Sequence, residues 1–550
     1  MISKAVDRVS VGDKVCVIGT GVMGLLAMKN LREQGLHVTA LERNEYIGGN
    51  WHVTKDPRQV SALPGTKANV SKHAVSPVME VRSSCPRSLL TSALKLSFSD
   101  YPMPDEYPVF PTAQQIGDYL ESYAKNFDLL QYIEFSTGVS SVKRDEASNS
   151  WFVNTKDAKT GQEVQRQFDR IVIATGSLNV MNVPKVEGIE TFAGDAIHSR
   201  EFKDPTKYAG KNVLVVGLGS TGADTLVFLK NAGAKNVYLS QRHRASVIPR
   251  WIKGRPHDHH ITRRADYLTR LMAEKSPYMI NYVSGRAVEV IDKIFYPSLK
   301  SHPIFAGRLD GVLHHTPFVN DDFSRLVENG EVQALPGIAR VSGPRSVVFK
   351  NGTEVGDLDA IIFCSGYYYD SSLIEGDGHP ADPAFASDGF ERFRNSRFHN
   401  PGNHYQRLYH GFLSEKYPDS LAVLGQLGTP RAIFFFYDLV TMALGGTLQR
   451  GPMPYLGLRI DVSATYAFLN RAAGTGIIEK VEGWGFEAWQ FWWSNRKLHG
   501  LIMDGVNCSA VYRLLDTGRG RKPWKGAVEA IEKANEESDK MALTATSRKK

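Results

Sequence analysis

Closely spaced cysteines are absent from the sequence. The chain has four cysteines in 550 residues, and no pair of them has C-x-x-C spacing: Cys16, Cys85, Cys364 and Cys508. A disulfide framework, a zinc site and a dithiol redox pair are therefore not expected. Cys16 and Cys364 lie in apolar, strand-like runs, where a free thiol usually packs as a small hydrophobic side chain.

Long apolar segments are also absent. The longest apolar stretch in the C-terminal third, Ala432–Leu444, is short and contains Asp438, which fits a buried helix better than a membrane span. The first residues, Met1–Asp13, are polar and show no secretory signal. We therefore expect no integral membrane span and a cytoplasmic location.

Basic residues outnumber acidic ones but form no long block. The chain has 66 Lys and Arg against 58 Asp and Glu, which gives a formal net charge of +8. Because these residues are dispersed, the charge does not favour a nucleic-acid partner. One local group contains Arg242, Arg244, Arg250, Lys253, Arg255, Arg263 and Arg264. We interpret part of this group as a reader of a phosphate on a small cofactor.

A dinucleotide-binding fingerprint opens the chain. A strand-like run, Lys14–Gly19, passes into Gly-x-Gly-x-x-Gly and a helical pattern, Leu25–Gln34, and a second strand, Leu36–Leu41, ends at Glu42. The glycines permit a tight turn, backbone approach to a pyrophosphate and close packing of helix on strand, and the acid accepts a ribose hydroxyl. A purely structural glycine-rich turn is the alternative. The predicted contacts are Gly19, Thr20, Gly21, Val22, Gly24 and Glu42.

The same pattern recurs in the middle of the chain. Lys211–Val216 leads into a second Gly-x-Gly-x-x-Gly, a helix that ends near Ala232, and a strand, Asn236–Ser240. No acid follows this strand, whereas Arg242 and Arg244 do, and a guanidinium pairs with a ribose 2′-phosphate. This site is predicted to prefer NADPH, unless both arginines are solvated surface charges. The predicted contacts are Gly217, Gly219, Ser220, Thr221, Gly222, Ser240 and Arg242.

Two further apolar runs end in small-residue turns. Arg170–Gly176 and Asp359–Gly366 read as buried strands that each place a chain crossing near a cofactor. The signal is weak alone, since buried strands often end this way. Gly176 is the predicted cofactor contact.

Several further motifs occur in order along nearly the whole chain: Ile47-Gly48-Gly49-Asn50-Trp51, Phe98–Pro104, Tyr119–Leu130, Phe192-x-Gly194-x-x-x-His198-x-x-x-Phe202-Lys203, Asp359–Tyr367, Tyr512-Arg513-Leu514 and Trp524–Ala527. Together they make the sequence resemble the flavin-containing monooxygenases. The fourth is the most specific, because it matches the family's identifying motif F-x-G-x-x-x-H-x-x-x-(Y/F)-(K/R). The resemblance also implies flavin contacts at Gly49, Asn50 and Trp51.

The resemblance implies an α/β fold with two doubly wound, Rossmann-like dinucleotide-binding domains. The NADPH domain, 209–345, is expected to be inserted into the FAD domain, 1–208 and 346–455. The remainder, 456–550, is expected to be a C-terminal helical segment and a polar tail that frays from Asp539. Whether the chain forms a homo-oligomer is left open by the sequence.

The resemblance also implies the reaction. NADPH reduces FAD, the reduced flavin forms a C4a-hydroperoxide with O₂, and a nucleophilic nitrogen or sulfur of a small-molecule substrate takes one oxygen. Baeyer–Villiger monooxygenases carry Trp at the last aromatic position of the identifying motif, so Phe202 followed by Lys203 favours the branch that oxygenates nitrogen or sulfur. Because the cofactors do the difficult chemistry, no acid–base pair is assigned.

One position departs from the family pattern. Many members have an Asn ten residues before the Asp of the F-x-D segment, where its amide helps to hold NADP⁺ and the oxygenated flavin. Ten residues before Asp100 the sequence has Leu90, followed by Thr91 and Ser92. Thr91, Ser92 and His198 are the candidate catalytic residues, and Gln426 is a candidate flavin neighbour.

Other features are given ordinary interpretations. The segment His257–His260 lacks neighbouring carboxylate or cysteine ligands at metal-binding spacing, so we expect a polar loop over the NADPH site and no metal. Trp484, Trp489, Trp492 and Trp493 have helix-like spacing, which is more typical of core packing than of a substrate pocket.

Four other functions remain as alternatives. A flavin disulfide reductase needs the paired cysteines that this chain lacks. A non-catalytic carrier of related fold is disfavoured by two intact fingerprints. A Baeyer–Villiger monooxygenase is closer to the pattern, and an NADPH oxidase that releases peroxide follows from Leu90 in place of Asn.

Overall fold

The structure is a computed structural model that describes residues 12–73, 97–268, 277–305, 317–385, 406–425, 442–444, 462–483, 485–518 and 522–547. The strands in these ranges are β1 Lys14–Ile18, β2 His37–Leu41, β3 Ile133–Glu134, β4 Thr137–Asp145, β5 Ser150–Asp157, β6 Glu163–Phe168, β7 Arg170–Ile173, β8 Val180–Met181, β9 Asp195–His198, β10 Asn212–Val216, β11 Asn236–Ser240, β12 Val247–Ile248, β13 Trp251–Ile252, β14 Arg255–Pro256, β15 Phe318–Val319, β16 Val332–Leu335, β17 Ile338–Gly343, β18 Ser346–Phe349, β19 Glu354–Val355, β20 Ala360–Phe363, β21 Tyr367–Tyr368, β22 Ile374–Glu375, β23 Leu408–Tyr409, β24 Leu413–Ser414 and β25 Leu421–Val423. The α-helices are α1 Val22–Glu33, α2 Ala113–Asn126, α3 Ser220–Asn231, α4 Pro277–Phe295, α5 Asp321–Glu328, α6 Val462–Ala473, α7 Phe486–Ser494, α8 Arg496–Met503 and α9 Ala527–Ser547.

Two sheets organise the fold. The first has the strand order β23-β24-β25-β7-β1-β2-β3, and its central strands are parallel. The second has the order β16-β11-β10-β20-β9 and is parallel throughout. Chain order runs from the first sheet into the second and returns to the first at β23–β25, so the second unit is inserted into the first.

The second sheet extends beyond the range predicted for the NADPH domain. Strand β20 pairs with β10, and β9 pairs with β20 at the edge of the sheet. In the sequence, β9 precedes the range 209–345 and β20 follows it. The boundaries at 209 and 345 therefore cut a hydrogen-bonded sheet. We propose a second unit that runs from β9 to β20.

Each unit has its own hydrophobic core. In the first, strand residues such as Val15 pack with Leu25 of α1 and Tyr119 of α2, and with Phe468 and Ile531 of the C-terminal helices. In the second, Val213, Leu226, Phe323 and Ile362 belong to one cluster. The C-terminal helices therefore complete the first unit.

Local signals explain where helices begin. Thr112 caps α2, since its hydroxyl accepts from the Gln115 N–H at 3.3 Å and the Gln115 side chain accepts from the Thr112 N–H at 2.9 Å. This reciprocal capping satisfies two backbone donors that a helix start otherwise leaves unpaired. Asn320 caps α5 in a similar way by accepting from the Phe323 N–H at 2.9 Å.

The C-terminal region corrects two expectations. The polar tail does not fray from Asp539, because α9 continues to Ser547. The tryptophans on α7 are not core residues: Trp489, Trp492 and Trp493 are 55%, 40% and 57% exposed. Ala488 is the buried residue of this helix, and the three rings lie on its exposed side. Trp484 lies outside the described residues.

The histidine segment is also different from its expected form. His257–His260 is a short 3-10 helix with His257, Asp258 and His259 buried. The Asp258 carboxylate accepts from the Ser71 N–H at 2.8 Å, and the His259 ring lies between the hydroxyls of Ser71 (3.1 Å) and Ser538 of α9 (2.9 Å). The segment is a buried turn against α9, not a polar loop over a cofactor. Among the described residues, no group of three or more His, Cys, Asp or Glu is placed to hold a metal ion.

Candidate active site

The turn after β1 has two glycines that pack and one that leaves space. Gly19 has φ +97°, and a Cβ there would lie 2.8 Å from the Ala174 carbonyl oxygen. A Cβ on Gly24 would lie 1.9 Å from the Gly19 carbonyl oxygen. At Gly21 the nearest atom to a Cβ is 3.8 Å away. Since no side chain caps α1, this open cradle beside free helix N–H groups fits a pyrophosphate.

Thr20 and Glu42 are held together at the end of β2. The Glu42 carboxylate accepts from the Thr20 N–H at 2.8 Å and its hydroxyl at 2.9 Å. Its other oxygen accepts from the N–H and the side-chain amide of Asn44, each at 3.0 Å. These four donors fill the usual capacity of a carboxylate. A ribose hydroxyl would therefore replace one of the two side-chain donors.

The turn Gly49–Trp51 lies against the first fingerprint. The Gly48 N–H donates to the Thr20 carbonyl at 3.0 Å, and a Cβ on Gly49 would come within 3.2 Å of the Gly21 Cα. Gly117 of α2 packs on the other side, where a Cβ would lie 2.7 Å from the Trp51 carbonyl oxygen. Asn50 and Trp51 are thereby fixed beside the cradle predicted for FAD.

The second fingerprint repeats the same division. A Cβ on Gly217 would lie 2.6 Å from the Cys364 carbonyl oxygen, and one on Gly222 would lie 2.2 Å from the Gly217 carbonyl oxygen. A Cβ on Gly219 would have no described atom of another residue within 4 Å, its chain neighbours aside. Ser220 and Thr221 begin α3 directly after this open position, so the turn fits a second dinucleotide.

The arginines after β11 have different environments. Arg244 is buried, with its guanidinium 2.9 Å from Asp292 and 3.0 Å from the Phe305 carbonyl oxygen. Arg242 is exposed, lies over Gly337, and forms no ion pair with a described carboxylate. The Ser240 hydroxyl is buried and donates to the Pro336 carbonyl oxygen at 2.9 Å. Arg242 is therefore the group free to read a 2′-phosphate.

Most of the basic group identified from the sequence is neutralised internally. Five of its seven members pair with carboxylates: Arg244 with Asp292, Arg250 with Asp321, Arg255 with Asp539, Arg263 with Glu482 and Arg264 with Asp504. These pairs join segments of the chain and do not form a phosphate-binding surface.

The Gly176 turn lies near the end of the first sheet. The Asn179 side-chain amide donates to the carbonyl oxygens of Thr175 and Gly176 at 3.1 and 3.2 Å. Gly425 approaches the same turn, since a Cβ added at this position would lie 3.5 Å from the Gly176 Cα. Gln426, the next residue, lies outside the described residues, as do Leu90, Thr91 and Ser92.

His198 is fixed by backbone groups. The Arg200 N–H donates to its Nδ1 at 3.2 Å, so the proton is on Nε2, which donates to the Gly366 carbonyl oxygen at 3.0 Å. Burial lowers the pKa of His198, and the ring is neutral at pH 7. Both ring nitrogens are occupied, and we therefore propose that His198 positions the segment after β9 instead of transferring protons.

An amide that the sequence analysis missed lies between the two units. The Asn69 side-chain amide donates to the Ser220 hydroxyl, at the start of α3, over 3.2 Å. The Ser97 hydroxyl donates to the Lys72 carbonyl oxygen at 2.9 Å, so the chain returns after residue 96 to the point it left at residue 73. A count of ten residues back from Asp100 leads to Leu90, because it follows the sequence and does not take account of the contact between Ser97 and Lys72.

A carboxylate of α3 also lies at this junction. Asp224 accepts from the side-chain amide of Asn320 at 2.8 Å. Burial raises the pKa of Asp224 to about 7, although the nearby Arg250 opposes the shift. The Arg250 guanidinium reaches the Ala68 carbonyl oxygen of the first unit at 3.5 Å. Polar groups of both units therefore meet beside the second fingerprint.

The model of the flavin-binding monooxygenase-like family matches residues 12–377, more than half of the chain. The chain belongs to this family. It is a flavin-dependent monooxygenase that uses FAD and NADPH.

Curated relatives agree with the family. The chain is 31% identical over 545 residues to monooxygenase aurF of Gibberella zeae, covering 94% of this chain and 96% of that protein. It is 31% identical over 375 residues to flavin-containing monooxygenase 5 of Oryctolagus cuniculus, covering 66% of this chain and 63% of that protein. The match therefore spans somewhat less than two thirds of the rabbit enzyme.

Solved structures share the fold. Tmm from Pelagibacter sp. strain HTCC7211 has a TM-score of 0.52 at 18% identity, over 94% of this chain and 90% of that one. Cyclohexanone monooxygenase in an open crystal structure has a TM-score of 0.56 at 16% identity, over 85% of this chain and 98% of that one. At these identities the likeness concerns the fold alone. No helix in the described ranges has the length and hydropathy needed to cross a membrane.

Proposed function

We propose that this monooxygenase transfers one oxygen atom of O₂ to a nucleophilic nitrogen or sulfur of a small molecule. The observation that carries the proposal is Phe202 followed by Lys203 at the end of the identifying motif, where Baeyer–Villiger enzymes have Trp. Phe202 is buried in the core of the second unit, 5.7 Å from the Tyr208 ring between centroids. A larger indole would have to displace this packing.

The cofactors take separate fingerprints in this proposal. The turn at Gly21 and the segment Gly49–Trp51 hold FAD, and the turn at Gly219 with Arg242 holds NADPH. When bound, the two cofactors would supply the redox chemistry, namely hydride transfer from NADPH to FAD and activation of O₂. The chain's own contribution is to bind, orient and exclude water.

The substrate enters the cleft where the two units meet, the usual place for a ligand in such folds. Asn69 projects from the first unit onto α3 of the second, 3.2 Å from Ser220. We assign to Asn69 the amide that the family places beside flavin and NADP⁺. Leu90 then need not be a defect, and the peroxide-releasing oxidase loses its main support.

The experiment is a substrate panel with the purified, flavin-loaded enzyme. NADPH and O₂ consumption are measured with tertiary amines, sulfides and acyclic ketones, and hydrogen peroxide is measured in the same samples. We expect amines or sulfides to accelerate NADPH oxidation and to give N-oxide or S-oxide in proportion to it. The Gly21→Leu variant, expected to lack FAD, controls for flavin-independent loss of NADPH.

Two outcomes would contradict the proposal. Esters formed from ketones, with no oxidation of amines or sulfides, would assign the chain to the Baeyer–Villiger branch. Peroxide equal to NADPH consumed with every compound would make it an oxidase.

A further inference from the structure

Two basic side chains lie in the segment that joins β9 to β10. Arg200 and Lys203 are both half-buried. The Arg200 guanidinium donates to the Asn179 carbonyl oxygen at 3.3 Å, and the Lys203 ammonium donates to the Ser61 hydroxyl at 3.0 Å. Each contact is to a neutral acceptor. Neither cation is therefore hydrogen-bonded to a carboxylate of the described residues.

Their neighbours place them between the predicted cofactor turns. Asn179, which Arg200 contacts, caps the Gly176 turn through its side-chain amide. Ser61, which Lys203 contacts, precedes Ala62, whose N–H donates to the Asn50 carbonyl oxygen at 2.9 Å. One cation thus borders the end of the first sheet and the other borders the flavin turn.

The nearby carboxylates are engaged elsewhere. Asp56 forms an ion pair with Arg58 at 3.0 Å, and Glu201 accepts from the His198 N–H at 2.9 Å. Neither Arg200 nor Lys203 forms an ion pair with a carboxylate of the described ranges, and the Arg200 Nε is buried with no hydrogen-bond acceptor. Burial, with Arg200 nearby, lowers the pKa of Lys203 to about 8, although the Asp56 carboxylate opposes the shift. Two like charges held this way are stabilised by a bound anion.

We propose that Arg200 and Lys203 form a subsite for an oxyanion, a phosphate or a carboxylate, carried by a molecule that enters the cleft. The oxyanion has two possible sources: a phosphate of NADPH, or an acidic group on the substrate. The second source rests on the proposed function, whereas binding of an anion does not. The Arg200 fork would take two oxygens, and Lys203 would act as a point charge.

The test measures sulfate binding to the flavin-loaded protein, without turnover. Titrations monitor thermal stability in the Arg242→Ala background, so that the predicted 2′-phosphate site does not contribute. Arg200→Gln and Lys203→Gln should each weaken sulfate binding about tenfold or more, as expected for the loss of a charge-assisted hydrogen bond. Lys207→Gln is the matched control, because Lys207 is exposed in the same segment and should leave sulfate binding unchanged.

The pH dependence gives an independent readout. Because Lys203 loses its charge as pH rises through about 8, sulfate affinity should fall between pH 7 and pH 9. In Lys203→Gln that fall should be smaller.

Two further arms separate the sources. If NADP⁺ binds more weakly to both variants, in equilibrium titrations with Arg242 intact, the oxyanion is a cofactor phosphate. If NADP⁺ affinity is unchanged and the variants lose a preference for acid-bearing over neutral amines or sulfides, it belongs to the substrate. Unchanged sulfate affinity, or no response to either NADP⁺ or acidic substrates, would overturn the proposal. A failure of the substrate panel with normal sulfate binding would count against the proposed function alone.

Discussion

Adding one methyl group at Gly21 should weaken cofactor binding, whereas adding one at Gly24 should lower the stability of the fold. A Cβ at Gly21 meets nothing nearer than the Gly49 Cα at 3.8 Å, whereas a Cβ at Gly24 would lie 1.9 Å from the Gly19 carbonyl oxygen. We therefore expect Gly21→Ala to fold normally and bind flavin more weakly. Gly24→Ala should be unstable with or without flavin.

The magnitudes follow from these distances. Overpacking costs about 1–3 kcal/mol where neighbours shift, and at Gly24 the neighbour is backbone of the same turn, so we expect the upper end. At Gly21 the methyl overlaps only the space left for a pyrophosphate. A cost of about 1.4–2.8 kcal/mol there would weaken FAD binding roughly ten- to a hundredfold.

The assay has two readouts. Flavin content and the Kd for FAD come from absorbance and titration of stripped protein, and stability comes from the Tm of the flavin-free form. Gly219→Ala is the matched control: with nothing within 4 Å, it should keep both stability and FAD but bind NADP⁺ more weakly. Wild-type FAD affinity in Gly21→Ala, or a wild-type Tm in Gly24→Ala, would refute the assignment of the first turn.

Three other predictions can be checked with the same protein. Arg242→Ala should raise the KM for NADPH about ten- to a hundredfold and leave NADH use unchanged; equal losses would make Arg242 structural, and Arg244→Ala should instead lower the Tm. Asn69→Leu should raise the peroxide released per NADPH while Asn69→Gln partly restores coupling, and equal peroxide in all three proteins would remove Asn69 from the site. Because the pKa of Asp224 is raised to about 7 in the folded protein, the free energy of unfolding should fall as pH rises from about 4 to 7. Asp224→Asn should reduce this pH dependence and raise the free energy of unfolding at pH 8 by on the order of 1–3 kcal/mol, measured by denaturant unfolding.

Local signals predicted the nucleotide-binding elements well. The strand predicted at Asn236–Ser240 has those bounds in β11, and the strand predicted at Lys14–Gly19 ends one residue earlier. The first helix begins at Val22 and not at Leu25, because Gly21 already serves as its N-cap. Glycine spacing, apolar runs and helix starts depend on residues that are close together in the sequence, so these features can be predicted from the sequence alone.

Features that depend on distant partners were not predictable. Arg242 and Arg244 are the same residue type two positions apart, so the sequence does not distinguish their roles. In the structure Arg244 has a structural role because it pairs with Asp292 of α4. His257–His260 is buried because α9 packs over it, far along the chain. The tryptophans of α7 match a core pattern, yet no described element covers them.

Asn69 shows how a count along the sequence can mislead. A family spacing of ten residues holds only while the intervening chain has the family's length. The hydrogen bond between Ser97 and Lys72 shows that spatial and sequence neighbours differ here. The candidate amide was visible in the sequence, but its relation to Asp100 was not.

That hydrogen bond makes the point between His73 and Ser97 a natural place for the chain to gain or lose sequence. The residues on either side are held by the enzyme itself: Lys72 donates to the carbonyl oxygens of Asp105 and Tyr107 at 2.7 and 2.6 Å. Closing a longer loop between fixed ends costs little, since each doubling of length adds only about 0.6 kcal/mol. The chain can therefore change in length at this position without rebuilding either nucleotide-binding unit.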